Sequence, residues 1–543
     1  DYRPFETVLD PNKEMTFKPF GGRPTNKTLS YFNLEMPGKI IKEFEIQGLV
    51  WGKNYKEQEP STGLIIVIGW PGQWSASFTR DAADGIRIQA GQEKTHFLLH
   101  PGEEVRAPSM VLQFWKGDYY HSQNIWRRWM VAYNMPRPGG KLIAPAYTPC
   151  SSFQFREMQD ANEENQKLFI DRYIEEGLKP DYWWMDAGWY ICKNTEWINT
   201  GTWEVDPKRF PNGIRAISDH AHSKGVGTIL WFEPERVTEG SWLWDNHPEW
   251  LLGSRYVPDE AWWSRPWKLL NLGNPQARQW VTDHVDQLLT EQGIDVYRED
   301  FNIDPLWFWW DGDTPDRQGI TEIRFLEGYL AYWDELLRRN PNRIIDTCAS
   351  GGRRNDVETL RRSVPFLRSD YNLSESLGNQ CLGYGMAFWI PYFGTGEGLI
   401  DAYYFWSMSG AHMTPCYDVR NKDLNYDLAR RLKSQWQQVS SYYYLGDYYP
   451  LTPYSLDKTV WLAYQYDLPE KGEGFVLAFR RPHSYTFTAE LPLHGLDPQA
   501  TYEFTDLDKN TTEKLPGKTL LETGLRISIE PQPGTAILLY KKL

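Results

Sequence analysis

The chain has 543 residues, of which 41% are hydrophobic and 24% charged, and 58 Lys and Arg stand against 72 Asp and Glu for a formal net charge of −14. Because this length exceeds what one hydrophobic core normally supports, we expect two or three domains. The acidic balance, with a pI near 5.3, argues against a nucleic-acid partner, since such binding depends mainly on Lys and Arg that neutralise phosphates.

Cysteine usage and hydropathy exclude further classes of protein. The five cysteines (Cys150, Cys192, Cys348, Cys381 and Cys416) are few, odd in number and without CxxC spacing. They predict neither a disulfide framework nor a thiolate zinc site. No apolar run of about eighteen residues predicts a membrane span. The chain begins with Asp rather than Met, so we expect a processed start. That leaves the compartment open, with a secreted or periplasmic location slightly favoured over a cytoplasmic one.

The first part of the chain predicts an all-β region. LIIVIGWPGQW, from Leu64 to Trp74, is typical of an apolar strand that ends in a Pro-Gly turn with a Trp on each side. GIRIQA and SMVLQFW predict further strands, with Gly and Pro between the segments. We therefore predict an N-terminal β-sandwich-like domain over residues 1–138.

Residues 139–450 alternate between short apolar strands and longer helical stretches. Eight segments are strand candidates: LIAPAYT, DYWWMDAGW, GTILWFEPE, IDVYREDF, RIIDTCASGG, PFLRSDY, GMAFWIPYFG and FWSMSGAHMTP. Helical stretches such as ANEENQKLFIDRYIEEG and ARQWVTDHVDQLLTEQG end in Gly, as a C-cap does. This alternation predicts an α/β fold, a (β/α)8 TIM barrel that forms the catalytic domain. The competing doubly wound sheet usually carries a Gly-rich phosphate turn after its first strand, and none is present.

After Pro450 the helical pattern stops. GEGFVLAFRR, TYEFTDL, GLRISIE and GTAILLYKKL are typical of antiparallel strands. We therefore predict a C-terminal antiparallel β-sandwich over residues 451–543.

Charged side chains close several of the predicted barrel strands, and active sites of barrels lie at these strand ends. The residues are Asp186 after the second strand, Glu233 and Glu235 after the third, Arg298 and Asp300 after the fourth, Cys348 to Gly352 after the fifth, and Arg368 and Asp370 after the sixth. A single Asp in such a place is more often a helix cap or a surface ion pair, but a set that closes successive strands favours a site.

Asp300 and Asp370, on strands four and six, are expected to face each other across the barrel mouth. Two facing carboxyl groups can cleave a glycosidic bond, and we expect these two to lie about 5 to 5.5 Å apart, the separation of a retaining enzyme, whereas about 9 Å would indicate inversion. Glu299 should point the other way, because successive side chains of a strand alternate. The 27 Trp and 32 Tyr weakly favour a carbohydrate ligand, since aromatic rings stack on sugars, although a core rich in large residues is an equally good explanation.

Five segments resemble motifs of glycoside hydrolase family 36, the α-galactosidases. VYREDFN resembles the family's K-W-D-M-N-R, which puts Asp300 at the nucleophile position, and FLRSDY resembles T-S-D, which puts Asp370 at the acid/base position. LWFEPERV, DTCASGGRR and SRPWKLLNL are similar to L-W-F-E-P-E-M-V, C-S-S-G-G-G-R and G-R-x-Q-x-V-L-D-L. The order of the segments is that of the family, and the likeness covers roughly residues 140–450.

The resemblance implies a retaining exo-glycoside hydrolase that uses double displacement. Its substrate would be a terminal α-linked galactose, or a 2-amino, 2-acetamido or otherwise modified galactose, in an oligosaccharide or glycoconjugate. No metal and no organic cofactor would be needed, and a homo-oligomer is left open. The sugar contacts implied by matched position, with Arg368 added from the sixth strand end, are Asp186, Trp231, Arg265, Arg298, Cys348, Gly351 and Arg368. In family relatives an aromatic from the N-terminal region can reach the sugar pocket, so one of Trp70 and Trp74 is expected to line it, with simple interdomain packing as an equal alternative.

Departures from the family pattern affect the specificity. Where the family has two consecutive Asp residues for the galactose 4- and 6-hydroxyls, Asp186 is followed here by Ala187. Arg298 replaces a Lys, which exchanges a point charge for a planar fork, and Glu299 replaces a Trp. DPLWFWWDGDTPDRQGITEIR, after strand four, has no segment matched to it, and its tryptophans predict either a wall of a leaving-group subsite or a packed lid.

Two alternatives to a hydrolase are open. A transglycosylase of the same family would transfer the sugar to an acceptor, and a non-catalytic barrel would bind a carbohydrate without cutting it. An added sugar acceptor that raises the yield of transfer product over hydrolysis would favour the transglycosylase. Turnover of a nitrophenyl α-galactoside would distinguish an enzyme from the non-catalytic barrel.

Overall fold

The computed structural model describes residues 5–9, 12–36, 44–48, 61–82, 85–192, 196–255, 267–371 and 375–543. Within these ranges no helix is long and apolar enough to cross a membrane. Strands occur at both ends of the chain, and strands and helices alternate between them.

Antiparallel sheets make up the N-terminal region. A five-stranded sheet has the order Phe5–Leu9, Phe44–Gly48, Tyr31–Met36, Ser61–Gly69, Ser109–Gly117. A three-stranded sheet has the order Glu14–Phe17, Trp74–Arg80, Ile86–Gln92. The predicted segments LIIVIG, GIRIQA and SMVLQFW are all strands in these sheets, since alternating or apolar β-branched runs pack well in a half-buried sheet.

Eight segments of the middle region pair in a closed order, which we call the parallel ring. In chain order they are Ala146–Tyr147, Tyr182–Met185, Gly227–Phe232, Val296–Glu299, Ile344–Thr347, 364–368, Gly394–Glu397 and His412–Pro415. Parallel ladders or bridges join segments one to six in sequence and join seven to eight. The Arg368 N–H donates to the Gly394 carbonyl at 2.9 Å, which joins six to seven. The eighth segment pairs in parallel with the first, so the order returns to its start.

Most predicted strands of this region contain a ring segment, but two are displaced. The seventh strand starts only at Gly394, because residues before Ala387 belong to a helix. The eighth starts at His412, and the apolar residues before it form the helix Ala402–Ser407. Both stretches are buried on all sides, and a buried helix of this length cannot be distinguished from a strand by periodicity.

The thirteen α-helices of the described ranges are Tyr119–Trp129, Glu163–Glu175, Arg215–Ser223, Trp242–Asn246, Pro275–Glu291, Leu306–Gly312, Ile320–Arg339, Val357–Leu360, Ser376–Met386, Ala402–Ser407, Tyr426–Val439, Tyr442–Leu445 and Gly517–Glu522. The two helices predicted with glycine C-caps are present. Gly177 and Gly293 follow them with φ of 72° and 66°, a conformation that glycine adopts without a steric penalty.

Shorter ladders connect the loops. Arg236–Thr238, Leu251–Leu252 and Trp267–Leu270 form a small antiparallel sheet after the third ring segment. Arg317–Gln318, after the fourth segment, pairs with His96–Phe97 of the N-terminal region.

The C-terminal region is antiparallel. A six-stranded sheet has the order Asp447–Pro450, Leu462–Leu468, Glu473–Arg480, Gly534–Lys542, Thr501–Asp506, Thr511–Pro516. A two-stranded ladder joins Thr488–Leu491 to Leu525–Ser528. One face of these strands has its own apolar cluster, while a larger cluster runs continuously from the N-terminal sheets through the parallel ring to the first C-terminal strands.

Candidate active site

The carboxyl ends of ring segments two to six bring charged side chains together. At the centre is Arg298, which is 3% exposed. Its guanidinium donates to Asp346 and lies 3.6 Å from Asp186 and 4.4 Å from the ring centre of Trp184. Strand register brings Arg298 and Asp346 together, because the two residues are directly paired on neighbouring strands. Burial raises the pKa of Asp346 to about 6, against the opposing effect of Arg298.

Asp300 follows the fourth segment and receives four hydrogen bonds. The donors are the Phe301 N–H at 2.7 Å, the Ser350 N–H at 3.0 Å, Asn302 Nδ2 at 2.8 Å and Trp231 Nε1 at 3.3 Å. Burial raises the pKa of Asp300, but the Arg298 charge and the hydrogen bonds from Asn302 and Ser350 oppose it, and the pKa lies below its usual value. Asp300 is therefore held as a carboxylate.

Asp370 follows the sixth segment and has the opposite tendency. The surrounding protein, and next the charge of Asp300, raise its pKa to about 6, against the effects of Arg298 and Arg353. The side chain still reaches solvent, which screens part of this effect. The two carboxyl groups thus interact, and their pKa values are pushed apart, an arrangement typical of acid/base pairs.

The turn of Ser350 and Gly351 lies between the two acids. Ser350 bonds Asp300 through its N–H, and a Cβ on Gly351 would lie 2.6 Å from the backbone nitrogen of Asp370. Both residues have positive φ, 48° and 83°. For a serine this conformation costs about 1 to 3 kcal/mol, and such strain persists only where the surroundings impose it. Cys348 accepts the Gly351 N–H at 3.2 Å, so it too lies in the turn.

Asp186 and Trp231 complete the group of expected sugar contacts that the structure brings together. Asp186 accepts from the Ala187 N–H at 2.9 Å and from Trp184 Nε1 at 2.8 Å. Burial raises its pKa, and Arg298 opposes this. Trp231 bonds Asp300 through its indole, so its position is fixed relative to that carboxylate.

Three expected sugar contacts are not among the residues that the structure brings together here. Arg265 lies outside the described residues. Arg368 is 1% exposed and donates to the carbonyls of Asn379, Ser407 and Ser409, which directs its guanidinium into the protein. Trp74 is fully buried.

The contacts of the GWPGQW turn favour the packing alternative for its two tryptophans. Trp74 donates its indole N–H to the Pro24 carbonyl at 2.8 Å, and Trp70 donates to Glu322 at 2.7 Å. Both rings are enclosed. Each indole thus fixes a neighbouring segment of the protein.

Several residues at this site were missed by the sequence analysis. Asn302 and Ser350 lie inside the quoted segments VYREDFN and DTCASGGRR, and their short polar side chains next to an acid were a signal. Asp346 was visible in the same way, as an Asp within a buried strand. Arg23 donates to Ser350 Oγ at 3.1 Å, and nothing in the local sequence around it indicates this contact.

Other acids at these strand ends are paired with arginines. Glu233 is bonded to Arg236, and Glu235 to Arg354. Glu299 turns away from Asp300, as expected, and accepts from Trp333 on the helix Ile320–Arg339. Burial, and next Glu235, raises the pKa of Glu299 to about 8. These acids are occupied in ion pairs and packing.

The tryptophans of the segment after strand four form a packed ladder. Trp309 is 1% exposed, while Trp307 and Trp310 stack at 5.8 Å between ring centres. Phe20 contacts Trp307, and Lys94 lies over Trp310. These contacts favour the packed-lid alternative. Over the described ranges no group of three or more His, Cys, Asp or Glu could hold a metal ion.

Comparisons with known proteins agree with the motifs. The melibiase family model matches residues 156–381. α-Galactosidase Mel36A of Lactobacillus acidophilus is 25% identical over 395 residues, which are 68% of this chain and 51% of that protein. An α-galactosidase of Escherichia coli is 30% identical over 230 residues, 42% of this chain and 30% of that protein.

Solved structures share the fold. The GH36 α-galactosidase AgaA from Geobacillus stearothermophilus matches with a TM-score of 0.80 and 16% identity, covering 99% of this chain and 76% of that chain. The galactosidase domain of the α-galactosidase-sucrose kinase AgaSK matches with a TM-score of 0.80 and 17% identity, covering 100% of this chain and 74% of that chain. The chain spans about half the length of the curated relatives it matches first, 51% and 48%.

Proposed function

We propose that this chain, which belongs to glycoside hydrolase family 36, removes terminal α-linked galactose-type residues from oligosaccharides or glycoconjugates and retains the anomeric configuration. The family's members in the comparisons are named α-galactosidases. The observation that carries the proposal is the pair of interacting carboxyl groups on either side of the Ser350–Gly351 turn, one held ionised and one with a raised pKa.

The parallel ring supports a (β/α)8 barrel as the catalytic domain over residues 139–450, with β domains over 1–138 and 451–543. In such a barrel the carboxyl ends of the strands form the mouth that receives the substrate. The side chains of the proposed site lie near the carboxyl ends of ring segments two to six or directly after them, which supports a position at that mouth.

In the proposed mechanism Asp300 is the nucleophile. Its carboxylate oxygen attacks the anomeric carbon as the glycosidic C–O bond breaks, and Asp370 gives its proton to the departing oxygen. Asp370 then takes a proton from water, whose oxygen attacks the anomeric carbon and releases Asp300. The Arg298 charge and the four donors at Asp300 stabilise the carboxylate before attack and after release.

The proposed sugar contacts are Asp186, Arg298, Trp231, Cys348 and Gly351. Because Ala187 offers no carboxylate beside Asp186, one hydroxyl of the galactose ring would lack a charged partner. A sugar modified at C2 or C6 is therefore a candidate substrate along with galactose.

Azide rescue tests the two roles. Asp300→Ala should abolish turnover of a nitrophenyl α-galactoside or its 2-amino or 2-acetamido form, and azide should restore a product of inverted, β configuration. Asp370→Ala should still release nitrophenol, which departs without a proton, and azide should then give the retained, α product.

The neighbouring acid provides a matched control. Glu299→Gln changes a buried acid that faces the helix Ile320–Arg339 and not the site, so turnover should continue. If both Ala variants gave the same azide anomer, or if Asp300→Ala kept near-normal activity, the assignment of the pair would be wrong.

A further inference from the structure

A short N-terminal segment, residues 20–26, contacts the two loops that carry the proposed nucleophile and its neighbouring turn. Arg23 is 7% exposed. Its Nη1 donates to Ser350 Oγ at 3.1 Å, to the Phe301 carbonyl at 3.3 Å and to the Ala349 carbonyl at 3.4 Å. Its Nε donates to Asp304 at 2.9 Å. One guanidinium thus contacts the backbone or side chains directly after ring segments four and five.

Thr25 fastens the other side of the same turn. Its N–H donates to the Arg353 carbonyl at 3.0 Å and its hydroxyl to the Gly352 carbonyl at 2.7 Å. The Asn355 N–H donates back to the Thr25 hydroxyl at 3.0 Å. The segment is therefore bonded along the loop on both sides of Gly351.

Ser350 transmits these contacts to Asp300 by two routes. Its N–H donates directly to Asp300, and its hydroxyl donates at 2.7 Å to Asn302 Oδ1 while accepting from Arg23. Asn302 in turn donates to Asp300 through Nδ2. Two of the four donors at Asp300 thus depend on a serine with positive φ, a conformation that needs outside support.

We propose that Arg23 is a positioning residue that keeps the Ser350 turn against Asp300 and so completes the hydrogen bonds of the nucleophile. The inference rests on the proposed function where it calls Asp300 a nucleophile, whereas the hydrogen bonds of Arg23 are independent of that function. It makes the N-terminal β region a part of the site's architecture.

Charged and titratable groups also lie near Asp300 on every packed element. They are Arg298 on its own strand, Asp186 after segment two, Arg236 with Glu233 after segment three, Cys348 after segment five and Asp370 after segment six. Arg23 interacts with Asp300 as well, and it is paired with Asp304 and lies near Arg353. Of these groups, Arg23 is the cation that the N-terminal segment supplies. Its removal should make the ionised form of Asp300 less stable.

The test compares Arg23→Ala and Arg23→Lys with a matched control. Arg362→Ala also removes a buried arginine, which is paired with Asp334. Arg362 lies just before the start of the sixth ring segment, at the opposite end of the strand from the site. The readouts are hydrogen exchange of a peptide spanning residues 349–352 and the pH profile of kcat/KM for a nitrophenyl α-galactoside.

For Arg23→Ala we expect faster exchange in residues 349–352, a kcat/KM about tenfold to hundredfold lower, and an acidic limb moved to higher pH. Arg23→Lys should restore the acidic limb in part, because it keeps the charge. It should not restore exchange, because one ammonium cannot reach all the acceptors of the guanidinium. Arg362→Ala should change neither readout.

Normal exchange together with a normal acidic limb in Arg23→Ala would overturn the inference. If Arg23→Ala does not fold, Ser350→Ala removes the same contact from the other side while Arg23 keeps its charge. It should give the same faster exchange and lower kcat/KM with a smaller shift of the acidic limb, and unchanged exchange there would overturn the inference. If the wild type hydrolyses no α-galactoside, the proposed function fails while the exchange measurement still decides the positioning role.

Discussion

Asp300 and Asp370 are the same residue type in two environments that favour different protonation states. Asp300 accepts four hydrogen bonds and lies near Arg298, and its pKa is lowered. The pKa of Asp370 is raised, first by burial and next by the charge of Asp300. The difference is set by neighbours, so it should be measurable as pH dependence.

We expect kcat/KM to follow a bell-shaped pH profile. Asp370 must hold its proton, so activity should fall as pH rises through about 6. Asp300 must be ionised, so activity should fall at low pH, below the usual range of an aspartate. The profile is measured with an oligosaccharide that has a poor leaving group, since a nitrophenolate does not need the proton. A basic limb at the same pH in Asp370→Asn would contradict the assignment.

The next expectation concerns Gly351. An alanine there would place its Cβ 2.6 Å from the Asp370 nitrogen at a φ of 83°, so the turn or Asp370 must move. Because a displacement of about 1 Å at a catalytic group can cost about a hundredfold, Gly351→Ala should reduce kcat strongly. Gly398→Ala, after the seventh ring segment, meets open space and is the matched control. Equal activities of the two variants would contradict the expectation.

At the scale of elements, the capping box of the helix Glu163–Glu175 gives a prediction for stability alone. The Asn162 side chain accepts the Asn165 N–H at 2.8 Å, and Asn165 accepts the Asn162 N–H at 3.0 Å. Asn162→Ala should lower the free energy of unfolding by about 1 kcal/mol, read from denaturant midpoints. Activity should stay at the wild-type level. Lys167→Ala, which breaks a surface pair on the same helix, should change stability by about 0.5 kcal/mol or less.

Strands with flanking turn signals could be predicted from the sequence, and strands preceded by buried helices could not. VYREDFN and RIIDTCASGG contain the strands Val296–Glu299 and Ile344–Thr347 because charged or small residues mark where each strand ends. GMAFWIPYFG and FWSMSGAHMTP contain no Asp, Glu, Lys or Arg to mark a strand end, and an apolar run looks the same whether helix or strand is buried. The ends of the helices before Gly177 and Gly293 could be predicted, because a glycine in the left-handed conformation is a local sequence signal for a helix end.

The candidate site divides in the same way. Asp300, Asp186 and Arg298 could be predicted because they end strands, and their spacing follows from strand register. Arg23 and Trp74 could not, since their partners Ser350 and Pro24 are 327 and 50 residues away in the chain. Only tertiary packing determines that Trp74 holds Pro24 and that Arg23, next to Pro24, reaches Ser350.

At the scale of the whole molecule, Glu322 joins the N-terminal region to the ring. It accepts from Trp70 Nε1 and the Gln73 N–H, both at 2.7 Å. Burial raises its pKa from 4.5 to about 8. A carboxyl group with a raised folded pKa stabilises fully below its unfolded pKa, and that stability is lost as pH rises through the folded value.

We therefore expect the melting temperature to decline between pH 4.5 and about 8, and Glu322→Gln to reduce this decline. Glutamine still accepts the two N–H groups but does not ionise. Glu299 contributes over the same range, so the slope should be reduced without being abolished. Thermal unfolding across this range measures it, and a slope equal to that of the wild type would show that Glu322 is not buried as a neutral acid.

The pairing of His96–Phe97 with Arg317–Gln318 has a consequence for biosynthesis. A ribosome makes the N-terminal strands long before residues 301–355, which supply partners for Arg23, Thr25, Trp70 and this ladder. Contacts at such separations form late, because the intervening chain must first be ordered. Until those residues are synthesised, the nascent N-terminal sheets expose the indole of Trp70, which is buried in the complete fold. We expect chaperones to be needed most during this interval.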